Sequence, residues 1–364
     1  MKSIGSISIL HIILLSMTVI GLKNHVTIIP SLLNNGGRDA WISVILATII
    51  LIPWLFILHF IQKNIGDTSI RTYLLTNYPK FGQGLIYFIA FYLILIAAFT
   101  IRETMQWVSI TFLLHTPTLL LLFLFVLICL FLAMSSILSI TIVNVIVLTG
   151  VLVLGFLVAF VNIKVKDYTL LLPIFEHGFA PIAKSTIYPA SGFVELLMFL
   201  FIHQHFKKKL KYSHLLLMLF LLLGLTLGPL IGAIVEFGPH EASKQRYPAY
   251  EEWRIAAIGN FINHIDFFSI YQWLTGAFIR ISVILFITIE ILGLTGQKKR
   301  IWGTVAPAFI FCTLPLFLLN DTFFLKLKSE YFLISTFIFF FLLSFVFVFL
   351  LKRKKSSKEV EHAN

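Results

Sequence analysis

Two apolar stretches of this chain carry residues that hydrocarbon disfavours. One, residues 5–33, holds Gly21, Lys23, Asn24, His25 and Pro30. The other, residues 184–205, holds Pro189, Ser191, Gly192 and Glu195. A helix interrupted at these points frees backbone N–H and C=O groups, each costly in lipid unless paired. A bound solute can supply the pairing. Half-helix N-termini favour a carboxylate, and freed carbonyls favour an ammonium or a metal cation. An amino acid carries both charges, so two facing breaks suit it. The residues expected to line such a site are Thr18, Val19, Ile20, Gly21 and Leu22, with Tyr188, Pro189, Ala190, Ser191 and Gly192. Each stretch alone also fits a proline kink or a helix end with no ligand. Their matching positions in the two halves of the chain favour a site.

The charges inside apolar stretches come next. Each costs at least ~3 kcal/mol at the bilayer centre on insertion scales, so it faces the interior and seeks a partner. Glu195, three residues past Gly192, is the candidate for a proton-coupled or cation-coordinating carboxylate, with a structural ion pair as the alternative. Lys23 lies in the first interruption; if the helix ends at Leu22 it instead snorkels to the surface. Arg102 and Glu103 are adjacent, so they point about 100° apart on a helix and do not pair with each other. Arg280 is a partner for Glu103 or Glu195, and the trio reads as a structural network ahead of a substrate contact. His11 reads as a hydrogen-bonded core histidine.

The elements that must position these residues are membrane helices. Of 364 residues, 59% are hydrophobic and 12% charged, with mean hydropathy +0.97. The bilayer must therefore be the solvent of this chain. Roughly 20 apolar residues cross a core of about 30 Å. That ruler gives ten segments: 5–33, 40–62, 82–113, 117–134, 140–162, 184–205, 213–235, 267–296, 302–319 and 331–351. The expected class is an all-α integral membrane protein of ten transmembrane helices, with helices 1 and 6 broken. It forms one permease-like domain over 1–364: a first repeat (1–162), a second (184–351) and a basic tail (352–364).

With both termini on one side, that side holds 16 Lys and Arg against 9 on the other. The excess places both termini in the cytoplasm. The lysines and arginines, which give a net charge of +12, sit mostly at segment ends, which suits membrane orientation better than nucleic acid. Trp253, Ile255, Ala256, Ile258 and Phe261 recur helically in 236–266, so a short amphipathic helix is expected over the outer mouth, as a lid or as a plain connection. Cys129 and Cys312 lie in apolar segments without metal-binding spacing. GxGxxG, P-loop, HExxH and GxSxG motifs are absent, so neither an enzyme nor a cofactor is expected.

Several pieces carry a family likeness: GLKNHVTIIPSLL (Gly21–Leu33) with GRDAWISVILA (Gly37–Ala47), IRETMQW (Ile101–Trp107) with LLHTPT (Leu113–Thr118), RYPAYEEWR (Arg246–Arg254), DFFSIYQW (Asp266–Trp273), GAFIRIS (Gly276–Ser282) and the basic tail. The chain resembles the B-subunit permeases of nutrient germinant receptors in bacterial spores, a branch of the amino acid–polyamine–organocation superfamily. The resemblance implies a LeuT-like 5+5 inverted repeat with its site between broken helices one and six. It implies residence in the spore inner membrane beside an A-type membrane subunit and a C-type lipoprotein. The implied activity is sensing a small germinant such as an amino acid. A proton- or cation-coupled amino acid transporter and a structural membrane subunit are the competing readings. Amino acid permeases of the superfamily commonly show a Gly-rich first break such as GAG. Here the stretch is VIGLKNHV, and Lys23 would supply a fixed charge where sodium-coupled relatives of this architecture hold an ion.

Overall fold

A computed structural model of the chain describes residues 6–259, 262 and 264–363. Apart from two isolated bridges, Ile7 with Phe206 and Ile258 with Ile262, the regular structure among these residues is helical. The first apolar stretch forms α1 (Ile9–Leu22), a π turn over Lys23–Thr27 and α2 (Ile29–Gly36). Ser8 opens α1 by accepting the His11 N–H at 3.3 Å. The helix widens rather than breaks: the Ile28 N–H bonds the Lys23 carbonyl, five residues back. Single π turns of this kind recur at functional sites. Gly37, at φ +55°, then turns the chain, a conformation that resists side chains with a β-carbon.

The turn leads to α3 (Ala40–Ile65), α4 (Ile70–Asn77), α5 (Pro79–Thr111), α6 (Thr118–Ala133) and α7 (Ile137–Val161). The GRDAW piece has a visible job at this turn. Arg38 donates to the Leu172 carbonyl at 2.5 Å and pairs with Glu176 at 3.4 Å, while Asp39 Oδ2 accepts the Glu176 N–H at 3.1 Å. Together they hold down the loop between the two halves of the chain.

The sixth stretch comprises α8 (Phe179–Ser185), α9 (Ile187–Phe193) and a 3-10 run over Val194–His205. It too changes pitch without unwinding. A 12-residue 3-10 run is long for a geometry usually confined to three or four residues. Every residue from Val194 to His203 is buried, so packing rather than hydrogen-bond geometry sustains it. At about 2.0 Å per residue it also stretches the segment across more of the bilayer than an α-helix would.

The remainder is α10 (Tyr212–Phe237), α11 (Pro239–Lys244), α12 (Pro248–Arg254), α13 (Phe268–Leu292), α14 (Lys298–Gly303), α15 (Val305–Leu318), α16 (Asp321–Lys326), a π turn over Leu327–Phe332 and α17 (Leu333–Ala363). Among the described residues, nine helical runs are long and apolar enough to cross a membrane; Thr118–Ala133 is apolar but shorter. The last run begins at Asp321, ten residues before the boundary the hydropathy pattern suggests. Lys326 and Lys328 therefore belong to a helix and not to a loop. The expected amphipathic helix in 236–266 is two short helices, α11 and α12, each opened by a proline. The second ends at Arg254: Trp253 and Ala256 are buried, whereas Ile255 and Ile258 are exposed. Phe261 lies outside the described residues.

At the centre, α13 packs on α5, α6, α7 and α1, and the sixth stretch lies between α3 and α17. Burial grades the helices sharply. Phe179–His205 is 94% buried across its apolar stretch, whereas Ile137–Val165 is 17% buried and leaves most of its apolar surface uncovered. The end of the bundle carrying Ile7, Phe206 and Leu350 holds the described terminal residues; the opposite end, with Gly37, the 162–178 loop and α11–α12, is called the far end below.

Candidate functional site

Helix α1 carries Thr18, Val19, Ile20, Gly21 and Leu22 in regular α conformation, and α9 carries Tyr188, Pro189, Ala190, Ser191 and Gly192. The changes of pitch come just after both sets, at Lys23 and at Val194. The two sets of residues meet through two backbone carbonyls and one carboxylate.

The Lys23 N–H bonds the Ile20 carbonyl, which leaves the Val19 carbonyl without its usual helical donor. The Arg280 guanidinium on α13 fills that place by donating to Val19. Across the interface, the Lys23 ammonium donates to the Ser191 carbonyl at 2.9 Å and to Glu195 Oε1 at 3.0 Å. Arg280 grips the same carboxylate with two nitrogens, at 2.7 Å to Oε2 and 3.0 Å to Oε1, and its Nε donates to Thr100 Oγ1 at 3.2 Å. Such two-pronged charged contacts are strong and fix orientation. Exposures are 3% for Lys23, 0% for Glu195 and 2% for Arg280. The group therefore sits in protein interior, and Lys23 does not snorkel.

Close backbone approach makes the meeting possible. A β-carbon on Gly192 would lie 1.7 Å from Asn24 Oδ1. The fully buried Asn24 donates through Nδ2 to Thr226 Oγ1 at 3.2 Å, and its Oδ1 has no hydrogen-bond partner among the described residues. His25 Nδ1 sits 3.0 Å from the Leu225 carbonyl, so the π turn is stitched to α10 as well. Gly21 and Gly276 leave space for Leu225 and Leu22.

Arg102 and Glu103 do not join this group. Arg102 pairs with Asp321 at 3.0 Å, donates to Gln106 Oε1 at 2.8 Å and to the Leu316 carbonyl at 3.0 Å, and lies over Phe317 and Phe324. Arg246 reaches the other oxygen of Asp321 at 3.2 Å. Glu103 pairs with the buried Lys328 at 2.5 Å, and Lys328 also donates to the Thr27 carbonyl at 3.3 Å, at the end of the first π turn. The two π turns are thus tied together. Asp321 and Lys328 have no role in the sequence reading, which names Asn24 and Arg246 without assigning them partners. The signal for Lys328 was the apolar FFLKLKSEYFL context, which continues as helix through its charges.

Above these networks an aromatic layer closes the far end. Trp107 stacks on Trp273 at 4.2 Å, Tyr250 meets Trp107 edge-on at 5.6 Å, and Tyr247 meets Trp273 edge-on at 5.1 Å. A cavity of about 170 Å³ between α5, α6 and α13 is lined by Met105, Val108, Leu121, Phe125, Ile128 and Leu274 among others. Those side chains offer nothing polar, so it is not a place to recognise a zwitterion.

Comparison with known proteins places the chain in a family. The family model described as "Spore germination protein" (spore permease) matches residues 5–324. Spore germination protein XB of Bacillus anthracis is 42% identical over 317 residues, covering 86% of this chain and 88% of that protein. Putative spore germination protein YfkT of Bacillus subtilis is 28% identical over 272 residues, 74% of each chain. Spore germination protein A2 of Bacillus subtilis is 27% identical over 176 residues, 48% of each chain. With nine helical runs fit to span a bilayer among the described residues and a family match over most of its length, this chain is an integral membrane protein that belongs to the spore permease family of spore germination proteins.

Proposed function

We propose that this protein is the permease-like subunit of a nutrient germinant receptor, and that it binds a small zwitterionic germinant, an amino acid, where α1 and α9 change pitch. The carrying observation is the charge balance of the buried group: two cations, Lys23 and Arg280, against one carboxylate, Glu195. One positive charge in excess in a dry interior favours an incoming anion. A ligand carboxylate would meet Lys23 and Arg280. A ligand ammonium would meet Glu195 and the carbonyls of Val19 and Ser191. Binding would exchange internal pairs for ligand pairs and shift the helices between two packings. A tethered lysine on the Ser191 carbonyl cannot travel with a substrate as a coupling ion does, which supports sensing over ion-coupled transport.

The wider reading is that α6 supplies a tenth crossing, that the two halves form a LeuT-like 5+5 repeat, and that the far end faces outward with cytoplasmic termini. The site would then lie in the spore inner membrane beside an A-type subunit and a C-type lipoprotein.

Thermal unfolding of the detergent-purified protein tests the ligand class, using a panel of amino acids and their matching amides. A ligand at 100 times its Kd stabilises by about 2.7 kcal/mol. An amino acid that raises Tm while its amide does not is the expected result. Equal effects of acid and amide, or a response only to nucleosides or sugars, would overturn the zwitterion reading. Uptake of that amino acid by the protein alone in liposomes under a pH gradient would identify a transporter instead.

A further inference from the structure

The far end holds a second buried charge group, and its balance is the reverse. Glu236, near the end of α10, has a fully buried side chain. Its Oε2 accepts from Asn162 Nδ2 at 2.9 Å, and its Oε1 lies 3.5 Å from the Lys166 ammonium, an ion pair too long for a hydrogen bond. Glu252 on α12 is 7% exposed, and its Oε1 has no hydrogen-bond partner among the described residues. Its carboxylate rests on the bare backbone of Gly232: a β-carbon there would lie 2.6 Å from Oε2. The same Asn162 amide donates to the Glu252 backbone carbonyl at 2.8 Å, tying α12 to the end of α7.

Two buried carboxylates thus share one lysine. Neighbouring charged and titratable groups are engaged elsewhere. Glu251 and Arg254 pair with each other on the exposed side of α12, and Asp266 lies 3.4 Å from the Tyr250 hydroxyl. On the π turn that α12 touches, Lys23 faces Glu195 and His25 faces the Leu225 carbonyl. An uncompensated buried carboxylate costs several kcal/mol unless it gains a proton or a cation.

We propose that Glu236 and Glu252 form a proton-binding site beneath the far-end cover, and that the proton taken from the aqueous phase holds α12 down over the π turn. Glu236 Oε1 and Glu252 Oε1 both lack a hydrogen-bond partner among the described residues, and the proton resides on the Glu252 carboxyl. Burial, reinforced by the Glu236 carboxylate, pushes the Glu252 carboxyl well above the usual carboxylate range, with Lys166 opposing. The cover is also separable from the main core: Trp253, Ala256 and Ile265 form a small apolar cluster of their own with Leu154, Val158 and Val161. For an acid whose value is raised in the docked state, docking is fully favoured below the ordinary carboxylate range. It weakens as pH climbs through the raised value. Alkaline conditions therefore lift α12, and acid closes it. This inference does not depend on the identity of the germinant.

The test is thiol accessibility in full-length protein in proteoliposomes, with Cys129 and Cys312 replaced by alanine. Ala256→Cys places a thiol under the cover, and Ile258→Cys, at an exposed position, reports intrinsic thiol reactivity at each pH. The labelling ratio of the first to the second with a membrane-impermeant maleimide is expected to rise from pH 5 to pH 9. Adding Glu252→Gln, which keeps the site neutral, is expected to leave the ratio low and flat. Glu236→Gln, which leaves Glu252 with a full lysine counter-charge, should flatten the rise as well and serves if the first variant fails to fold. A flat profile in the unmodified pair, or an unchanged rise in a folded Gln variant, would overturn the proposal.

Discussion

Deep between α1, α9 and α13, one carboxylate lies between two cations; under the far-end cover, two carboxylates lie beside one. The first group is saturated with hydrogen bonds, since Glu195 accepts three and both of its cations also cap backbone carbonyls. Among the described residues, the second leaves two carboxylate oxygens, Glu236 Oε1 and Glu252 Oε1, without a hydrogen bond and one ion pair long. Burial alone therefore does not tell what a charge cluster does. The saturated group yields only to a molecule that brings its own charges. The unsaturated group is stable only with an added proton, which makes it responsive to pH.

The largest test of this contrast is Glu195→Ala. It strands Lys23 and Arg280 in the interior, and removing one partner of a buried pair costs roughly 3–5 kcal/mol. The expected result is a steep fall in Tm and in the amount of protein recovered from membranes. Neutralising both cations as well (Lys23→Met and Arg280→Met) should restore much of the loss. A single mutant that melts like the parent would mean that water reaches the group and the interior is not dry.

Gly192→Ala comes next. Its β-carbon falls on Asn24 Oδ1, and overpacking of this kind costs about 1–3 kcal/mol. Asn24→Ala in the same protein should relieve the clash, so the double mutant is expected to be more stable than the sum of the singles allows. Strict additivity would show that α9 and the π turn do not touch as closely as described. The variant also separates stability from recognition, because Gly192→Ala displaces Asn24 without removing any of the three charges.

How these groups emerge from the sequence explains what could be read early. Lys23, Glu195 and Arg280 stand out because each interrupts an apolar run, and hydrocarbon makes every such interruption expensive. The pairing of Glu195 with both cations needed three-dimensional packing to settle, since Arg280 served Glu103 equally well on paper. The same logic leaves Lys328 in a loop, because the hydropathy pattern starts its segment at 331. A hydropathy ruler ends a segment at its first cluster of charges, whereas the helix runs on through Asp321–Phe332 because its charges find partners on α5. The interruptions themselves proved to be changes of pitch. A sequence shows that a regular helix is disfavoured at Lys23–His25, but not whether the chain will unwind or add a residue to one turn. Glu252 gave no signal, because it sits on a short helix in a connection where glutamates are ordinarily solvated.

The smallest expected effect is at the one cation of the far-end group. Lys166 holds the Glu252 carboxyl down, against burial and Glu236. Lys166→Met therefore raises it further. The undocked acid is unaffected, so only the docked, ionised form is destabilised, and the rise in Ala256→Cys labelling should become larger at the alkaline end. Lys166 is only partly buried and sits 3.5 Å from Glu236, so the increase will be modest. The matching change in the saturated group, Lys23→Met, leaves Glu195 gripped by Arg280 through both oxygens and should leave the labelling profile where it was. A smaller alkaline rise with Lys166→Met, or equal changes from both substitutions, would erase the distinction between the unsaturated group and the saturated one.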